Sequence, residues 1–133
     1  MKKILIAEDD EHQRDLIKEI LECSLPDYSF ETFKNGTSLK NKLNEILVKS
    51  NGDVKAIITD NNMPGYTGSE LIAEYAKMKE FEKIPFLLVS SSDEYISKRA
   101  IENGAFAYIQ KPYNICEFSK LIEKVINSFE INL

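Results

Sequence analysis

The chain has 133 residues, enough for one domain with a real core. Apolar residues make up 43% and charged residues 29%, the balance of a globular rather than a disordered protein. The net charge is −5 and no Lys/Arg cluster stands out, which argues against direct nucleic-acid binding.

Lys3–Ala7 is a short apolar run and predicts a buried strand. Preceded by Met1-Lys2-Lys3, it starts like a signal peptide, but it is too short and Glu8-Asp9-Asp10 ends it. Nothing in the chain approaches transmembrane length, so a cytoplasmic domain without membrane insertion is expected. A helix is predicted over Asp10–Leu25, with Leu16, Ile17, Ile20 and Leu21 on one stripe and Pro26 as its stop. His12 near its start reads as a solvated surface residue. Tyr28–Phe33 reads as a half-exposed edge strand.

Asn35-Gly36-Thr37 supplies a turn and a candidate N-cap for a helix carrying Leu39, Leu43, Ile46 and Leu47. After a loop at Ser50–Asp53, Val54–Thr59 has the unbroken apolar run of a strand buried on both faces. Asp60–Gly68 is a loop rich in Asn, Pro and Gly, and a helix from Ser69 carries Leu71, Ile72, Tyr75, Ala76 and Met78. Ile84–Val89 is the next strand. Ser90–Asp93 is a polar turn, with Asp93 a candidate cap for a helix through Asn103, and Gly104 sits where a left-handed residue ends a helix. Ala105–Ile109 is a short strand, followed by Lys111-Pro112. The last helix carries Ile115, Phe118, Leu121, Ile122, Val125, Ile126 and Phe129. Cys23 and Cys116 form no CxxC pair, and both are expected to be reduced thiols packed as small apolar groups.

Five strand–helix pairs in strict alternation predict an α/β fold, a parallel sheet with helices on both faces. No linker or internal repeat interrupts them, and no room follows the last helix for an effector domain, so a single domain over residues 1–133 is expected. In such sheets functional residues gather where the strands end. Strand one ends into Glu8-Asp9-Asp10, strand three at Asp60, strand four at Ser90, and strand five runs into Lys111. Clustered carboxylates repel unless something neutralises them, and a hard divalent cation such as Mg2+ prefers oxygen ligands of this kind. A lysine facing the same rim suits a phosphoryl oxygen, and a serine hydroxyl can donate to another. The set fits phosphoryl transfer, where catalysis is mostly positioning and charge neutralisation.

Each piece alone is commonplace: an acidic run at a helix start, a Met-Pro-Gly turn, a Lys-Pro loop. Together, in this order and each at a strand end, they resemble the receiver domains of two-component response regulators, of the chemotaxis-regulator type. The resemblance runs from Lys3 to about Phe129. Ile4–Glu11 is similar to that family's first strand and acidic pair, which implies Glu8 and Asp9 as the pair, Asp9 as the direct metal ligand and Asp10 as a helix-start charge. Asp60-Asn61-Asn62-Met63-Pro64-Gly65, with Gly68 beyond, resembles the acceptor loop, in which Asp is followed by x-x-Met-Pro and a later Gly.

That match implies Asp60 as phosphoacceptor and metal ligand, and the Asn62 backbone carbonyl as a further ligand. Phe86–Ser90 ends on the family's switch hydroxyl. Tyr108-Ile109-Gln110-Lys111-Pro112 resembles its fifth strand, with Tyr108 as the switch aromatic, Lys111 as the phosphate-contacting lysine and a cis Lys111–Pro112 bond. The implied fold is the flavodoxin-like (β/α)5 arrangement, doubly wound with strand order 2-1-3-4-5. The implied partners are a sensor histidine kinase or histidine phosphotransfer protein and a downstream protein target. The implied activity is Mg2+-dependent phosphoryl transfer onto Asp60. The domain would catalyse its own phosphorylation and dephosphorylation and act on no external metabolite.

Departures from the family pattern are Ser91 in place of a small Ala or Gly, a Ser90–Gly104 stretch one residue short, and extra length near Lys49–Asp53. Phe106-Ala107 also stands where winged-helix regulators carry acidic dimerisation residues. Two other readings stay open. A pseudo-receiver that signals by binding alone would be marked by loss of an acid or the lysine, and neither is lost. A metal-dependent phosphatase with an aspartate nucleophile would show Asp-x-Asp, where this chain has Asp60 and Asn62.

Overall fold

The computed structural model describes residues 2–49, 53–91 and 94–131. Among them the elements run β1 (Lys3–Ala7), α1 (Glu11–Ser24), β2 (Ser29–Phe33), α2 (Gly36–Lys49), β3 (Val54–Asp60), α3 (Gly68–Tyr75), β4 (Phe86–Ser90), α4 (Glu94–Glu102), β5 (Ala107–Gln110) and α5 (Ile115–Ile131). The strands form one parallel sheet in the order β2-β1-β3-β4-β5. The doubly wound arrangement expected from the sequence is therefore the one observed.

The apolar strands serve two cores at once. Leu5, Ala7, Ile57, Phe86 and Leu88 face one cluster, filled by Leu39, Leu43, Leu71, Ile72, Tyr75 and Ala100 from α2, α3 and α4. Ile4, Ile6, Ala56, Ile58, Leu87 and Val89 face the other, filled by Ile17 and Leu21 of α1 and by Phe118, Ile122, Val125 and Ile126 of α5. Alternate residues of a strand point to opposite faces, so a sheet covered on both sides needs unbroken apolar runs rather than alternating ones.

The register brings the strand ends level. Ala7 pairs with Thr59, so Glu8 emerges beside Asp60; Asp60 pairs with Val89, and Ser90 with Gln110, so Lys111 emerges one strand further on. A shift of one residue would swap a strand's side chains between the two cores, each of which is packed around side chains of particular size and shape. The same packing that builds the two cores therefore fixes which residues meet at the carboxyl edge.

Several boundaries differ from the sequence expectation. α3 stops at Tyr75, and the chain continues as tight turns through a 3-10 stretch at Lys79–Phe81. Phe81, 1% exposed, packs its ring between Tyr75 and Phe86, with centroid distances of 5.8 and 5.6 Å. Continuing the helix would carry that ring away from the core. β4 begins at Phe86 because Pro85 has no N–H for the ladder and takes part only as an acceptor, from Ile57 N–H at 3.0 Å. β5 spans Ala107–Gln110, displaced from the apolar run that suggested it. The α2 cap is Asn35, whose Oδ1 accepts from Ser38 N–H at 2.7 Å.

Cys23 and Cys116 are free thiols, but both are exposed rather than packed. Cys23 lies two residues beyond buried Leu21 and Cys116 two before buried Phe118. Two residues turn a helix by about 200°, which points both thiols away from the core. The proposed cap Asp93 and most of the Ser50–Asp53 loop lie outside the described residues. No helix among the described residues is long and apolar enough to cross a membrane.

Candidate functional site

Glu8 leaves β1 and Asp60 closes β3 on the adjacent strand. Oxygens from the Glu8, Asp9 and Asp60 carboxylates all lie within 4.8 Å of one another. Like charges so close destabilise their ionised forms. Lys111 supplies the counter-charge: its Nζ donates to Glu8 Oε1 at 2.7 Å and lies 3.5 Å from Asp60 Oδ2. Glu8 is 1% exposed and Asp60 8%, so this contact works in poorly screened surroundings, where a charge-assisted bond is strongest. Burial alone would lower the Lys111 ammonium below the usual lysine range. The Glu8 hydrogen bond and the charges of Asp60 and Glu8 outweigh it and hold the ammonium above that range.

Two backbone N–H groups aim the acids, and two side chains hold the backbone that carries them. Asp60 Oδ1 accepts the Asn61 N–H at 2.8 Å, and Thr59 Oγ1 donates to the Asp60 carbonyl at 2.9 Å. Glu8 Oε2 accepts the Asp10 N–H at 3.3 Å, while Arg14 Nη1 reaches back from α1 to the Glu8 carbonyl at 2.9 Å. Asp10 itself is the N-cap of α1, accepting from Gln13 N–H at 3.0 Å. Three consecutive acids thus have different neighbours: Glu8 a buried ion pair, Asp9 the open rim, and Asp10 a helix terminus. Partial burial and the adjacent Glu8 carboxylate raise the Asp9 carboxyl above the usual aspartate range.

Ser90 is fully buried at the end of β4, and its carbonyl accepts from Lys111 N–H at 2.9 Å and from the Tyr108 hydroxyl at 3.3 Å. Tyr108 is half-buried and packs against the core cluster that includes Ala100 of α4. Asn62 is exposed, two residues after Asp60 in the loop to α3. The Lys111–Pro112 peptide bond is cis. The structure therefore gathers Glu8, Asp9, Asp60 and Lys111 into one cluster, with Ser90 on the neighbouring strand end and Tyr108 behind it.

Sequence reasoning missed Asn61 and Arg14. Asn61 fills a variable position in the acceptor-loop pattern, and Arg14 looks like one more charge on an amphipathic helix; only the folded chain brings their partners to them. Tyr113, stacked on Phe118 at 4.7 Å, also borders the site, and burial pushes its phenol up. Beside Lys111 lies a cavity of about 350 Å3 walled by Gln13, Leu16, Ser91, Lys111, Pro112, Tyr113 and Ile115.

A doubly wound sheet with an acid cluster and a lysine at its carboxyl edge defines a CheY-like α/β signalling domain. Residues 4–124 match the family described as response regulator receiver domain. A chemotaxis protein CheY homolog of Campylobacter jejuni is 30% identical over 129 residues, covering 95% of this chain and 93% of that protein. Histidine kinase P4 of Formosa agariphila is 32% identical over 126 residues, 94% of this chain but only 8% of the kinase. The crystal structure of a response regulator receiver domain protein from Clostridium thermocellum superposes with a TM-score of 0.81 over the full length of both chains, at 23% identity. The chain belongs to the response-regulator receiver domain family of two-component signalling.

The raised Asp9 carboxyl has a consequence for stability. A carboxyl that binds protons more tightly folded than unfolded makes stability fall as pH rises through its folded pKa. In metal-free protein at neutral pH, Asp9→Asn should therefore be stabilising, by less than about 1 kcal/mol because the side chain is exposed. The gain should vanish as pH falls toward the ordinary aspartate range. Urea unfolding in a chelator at two pH values checks this; an Asn variant no more stable than wild type at neutral pH would contradict it.

Proposed function

We propose that residues 1–133 act as a single cytoplasmic receiver domain whose acceptor is Asp60. The observation that carries this reading is the setting of that carboxylate: it is almost buried, one oxygen is held by a backbone N–H, and the other faces an ammonium at 3.5 Å. In the proposed reaction the free oxygen attacks the phosphorus of a phosphohistidine. The phosphorus–nitrogen bond breaks, the histidine leaves with the electron pair, and Asp60 becomes a 4-aspartylphosphate. Lys111 shifts its contact from the carboxylate to a phosphoryl oxygen, and the Ser90 hydroxyl donates to another. The later attack of water on the same phosphorus breaks its bond to the Asp60 oxygen, releases inorganic phosphate and restores the carboxylate. The domain thus catalyses only its own phosphorylation and dephosphorylation.

The donor set fits Mg2+. Three carboxylates and one ammonium leave two negative charges, and all the ligand atoms are oxygens. Glu8, Asp9, Asp60 and the Asn62 carbonyl would hold the ion, which when bound would neutralise charge developing on the transferred phosphoryl group. The phosphodonor would be a sensor histidine kinase or a histidine phosphotransfer protein, approaching over the cavity beside Lys111. The acidic net charge, −5, supports no nucleic-acid contact by this domain.

The output would be a changed protein-binding surface on α4, β5 and α5. Movement of Ser90 toward the phosphoryl group would loosen its carbonyl from the Tyr108 hydroxyl and let the half-buried ring turn further inward. Tyr95, Ile101 and Phe106 are exposed apolar groups on α4 and just before β5, available to a downstream protein. A partner that prefers one arrangement shifts the equilibrium by its differential affinity.

Phosphoramidate with Mg2+ should add one phosphoryl group to the wild type and none to Asp60→Asn. Asp9→Ala should abolish the reaction and Asp10→Ala should leave most of it, because Asp10 caps a helix. Intact-mass measurement reads all four proteins, and undiminished labelling of Asp60→Asn would remove the assignment. With beryllofluoride bound, hydrogen exchange should change around Tyr95–Ile101 and Tyr108; unchanged exchange there at full occupancy would place the output on another face.

A further inference from the structure

Asn61 follows the acceptor directly, at a position where the Asp-x-x-Met-Pro pattern makes no demand. It is nevertheless only 7% exposed, unusual for an amide side chain in a loop. Its N–H is shared between the Val89 carbonyl of β4 at 3.2 Å and Asp60 Oδ1 at 2.8 Å. Its carbonyl accepts from Gly68 N–H at 3.0 Å. Its side-chain Oδ1 accepts twice from Ser69, from the N–H at 2.9 Å and from the hydroxyl at 2.6 Å. Gly68 and Ser69 open α3, so this one residue ties the end of β3 to the start of the next helix.

The seating is tight. A Cβ on Gly68 would fall 2.4 Å from the Asp60 carbonyl oxygen, so α3 begins directly against the backbone of the acceptor. Asp60 could otherwise turn about two side-chain bonds. The Asn61 N–H removes that freedom by holding Oδ1, which leaves Oδ2 toward Lys111. That N–H is itself fixed only as far as the Asn61 backbone is fixed: the bond to the Val89 carbonyl holds it on the β4 side, and the bonds to Ser69 and Gly68 hold it on the α3 side. An apolar side chain in place of Asn61 would fill the space but deprive Ser69 of its acceptor, the costly way to break a hydrogen bond.

We infer that the Asn61–Ser69 clasp is a positioning device for phosphoryl acceptance. Asn61 acts through Asp60: it keeps the carboxylate aimed, and a correctly aimed nucleophile lowers the barrier to transfer without any new contact to the donor. The inference rests on Asp60 being the acceptor. Ser69 is part of the same device, because its hydroxyl and N–H both end on Asn61 Oδ1.

The test is the rate of phosphorylation by phosphoramidate at saturating Mg2+, with the Mg2+ dissociation constant measured beside it by calorimetry, for Asn61→Leu, Ser69→Ala and the double variant. Asn61→Leu should slow the reaction roughly tenfold and Ser69→Ala roughly threefold, as expected for losing two hydrogen bonds or one. The double variant should be no slower than Asn61→Leu alone, because the two residues form one unit. Mg2+ affinity should stay within about twofold throughout, since neither side chain is a proposed ligand. Should Asn61→Leu fail to fold, the partly exposed Ser69→Ala decides by itself. Wild-type rates, additive slowing, or a rate loss matched by an equal loss of Mg2+ affinity would each overturn the positioning role. Phosphorylation of Asp60→Asn would instead overturn the acceptor reading beneath it, so the two failures are distinguishable.

Discussion

The contact of Lys111 with Glu8 and Asp60 is the constraint on which the site depends. Three carboxylates, two of them almost fully buried, could not be brought together at one strand edge without a positive charge among them. The lysine reaches them from β5, across β4, so the charge that makes the cluster tolerable comes from the far side of the sheet order. Sheet order, register and charge compensation are therefore one problem. A sheet wound differently would leave Glu8 buried without its ammonium, and an uncompensated buried charge is among the largest single penalties a fold can carry.

That compensation is deliberately incomplete in chemical terms. One ammonium against three carboxylates leaves the rim acidic, and at Asp9 partial burial first, then the adjacent Glu8 carboxylate, holds the carboxyl above the usual aspartate range. A divalent cation held by these acids would relieve what the lysine does not. On the proposed reaction the same lysine would leave its contacts with Glu8 and Asp60 to meet a phosphoryl oxygen. One side chain would thereby serve the resting protein as a counter-ion and the modified protein as a ligand, with Ser90 on the neighbouring strand and Tyr108 on its own strand close enough to respond.

Much of this was legible in the sequence because the signals are periodic or sit at strand ends. The unbroken runs in β3 and β4 announced a sheet covered on both faces, and the acids, the serine and the lysine each followed directly on a strand. What was not legible depends on partners far apart in the chain. Asn61 is an undistinguished loop residue until Ser69 folds back onto it, and Arg14 one more helix charge until its guanidinium finds the Glu8 carbonyl. The early end of α3 follows from the burial of Phe81 between Tyr75 and Phe86, a tertiary preference that no helical stripe encodes. The exposed cysteines show the opposite error, since their apolar character suggested burial while their phase on α1 and α5 put them outside.

Lys111 and a bound Mg2+ would draw on one pool of negative charge. Titration of Mg2+ into wild type and Lys111→Ala by calorimetry tests it most directly. Removing the ammonium leaves the acids more negative and frees Glu8 and Asp60, so the variant should bind Mg2+ at least as tightly as the wild type. Clearly weaker binding by a folded Lys111→Ala would contradict the account, for it would mean that the lysine builds the metal site rather than competing for it.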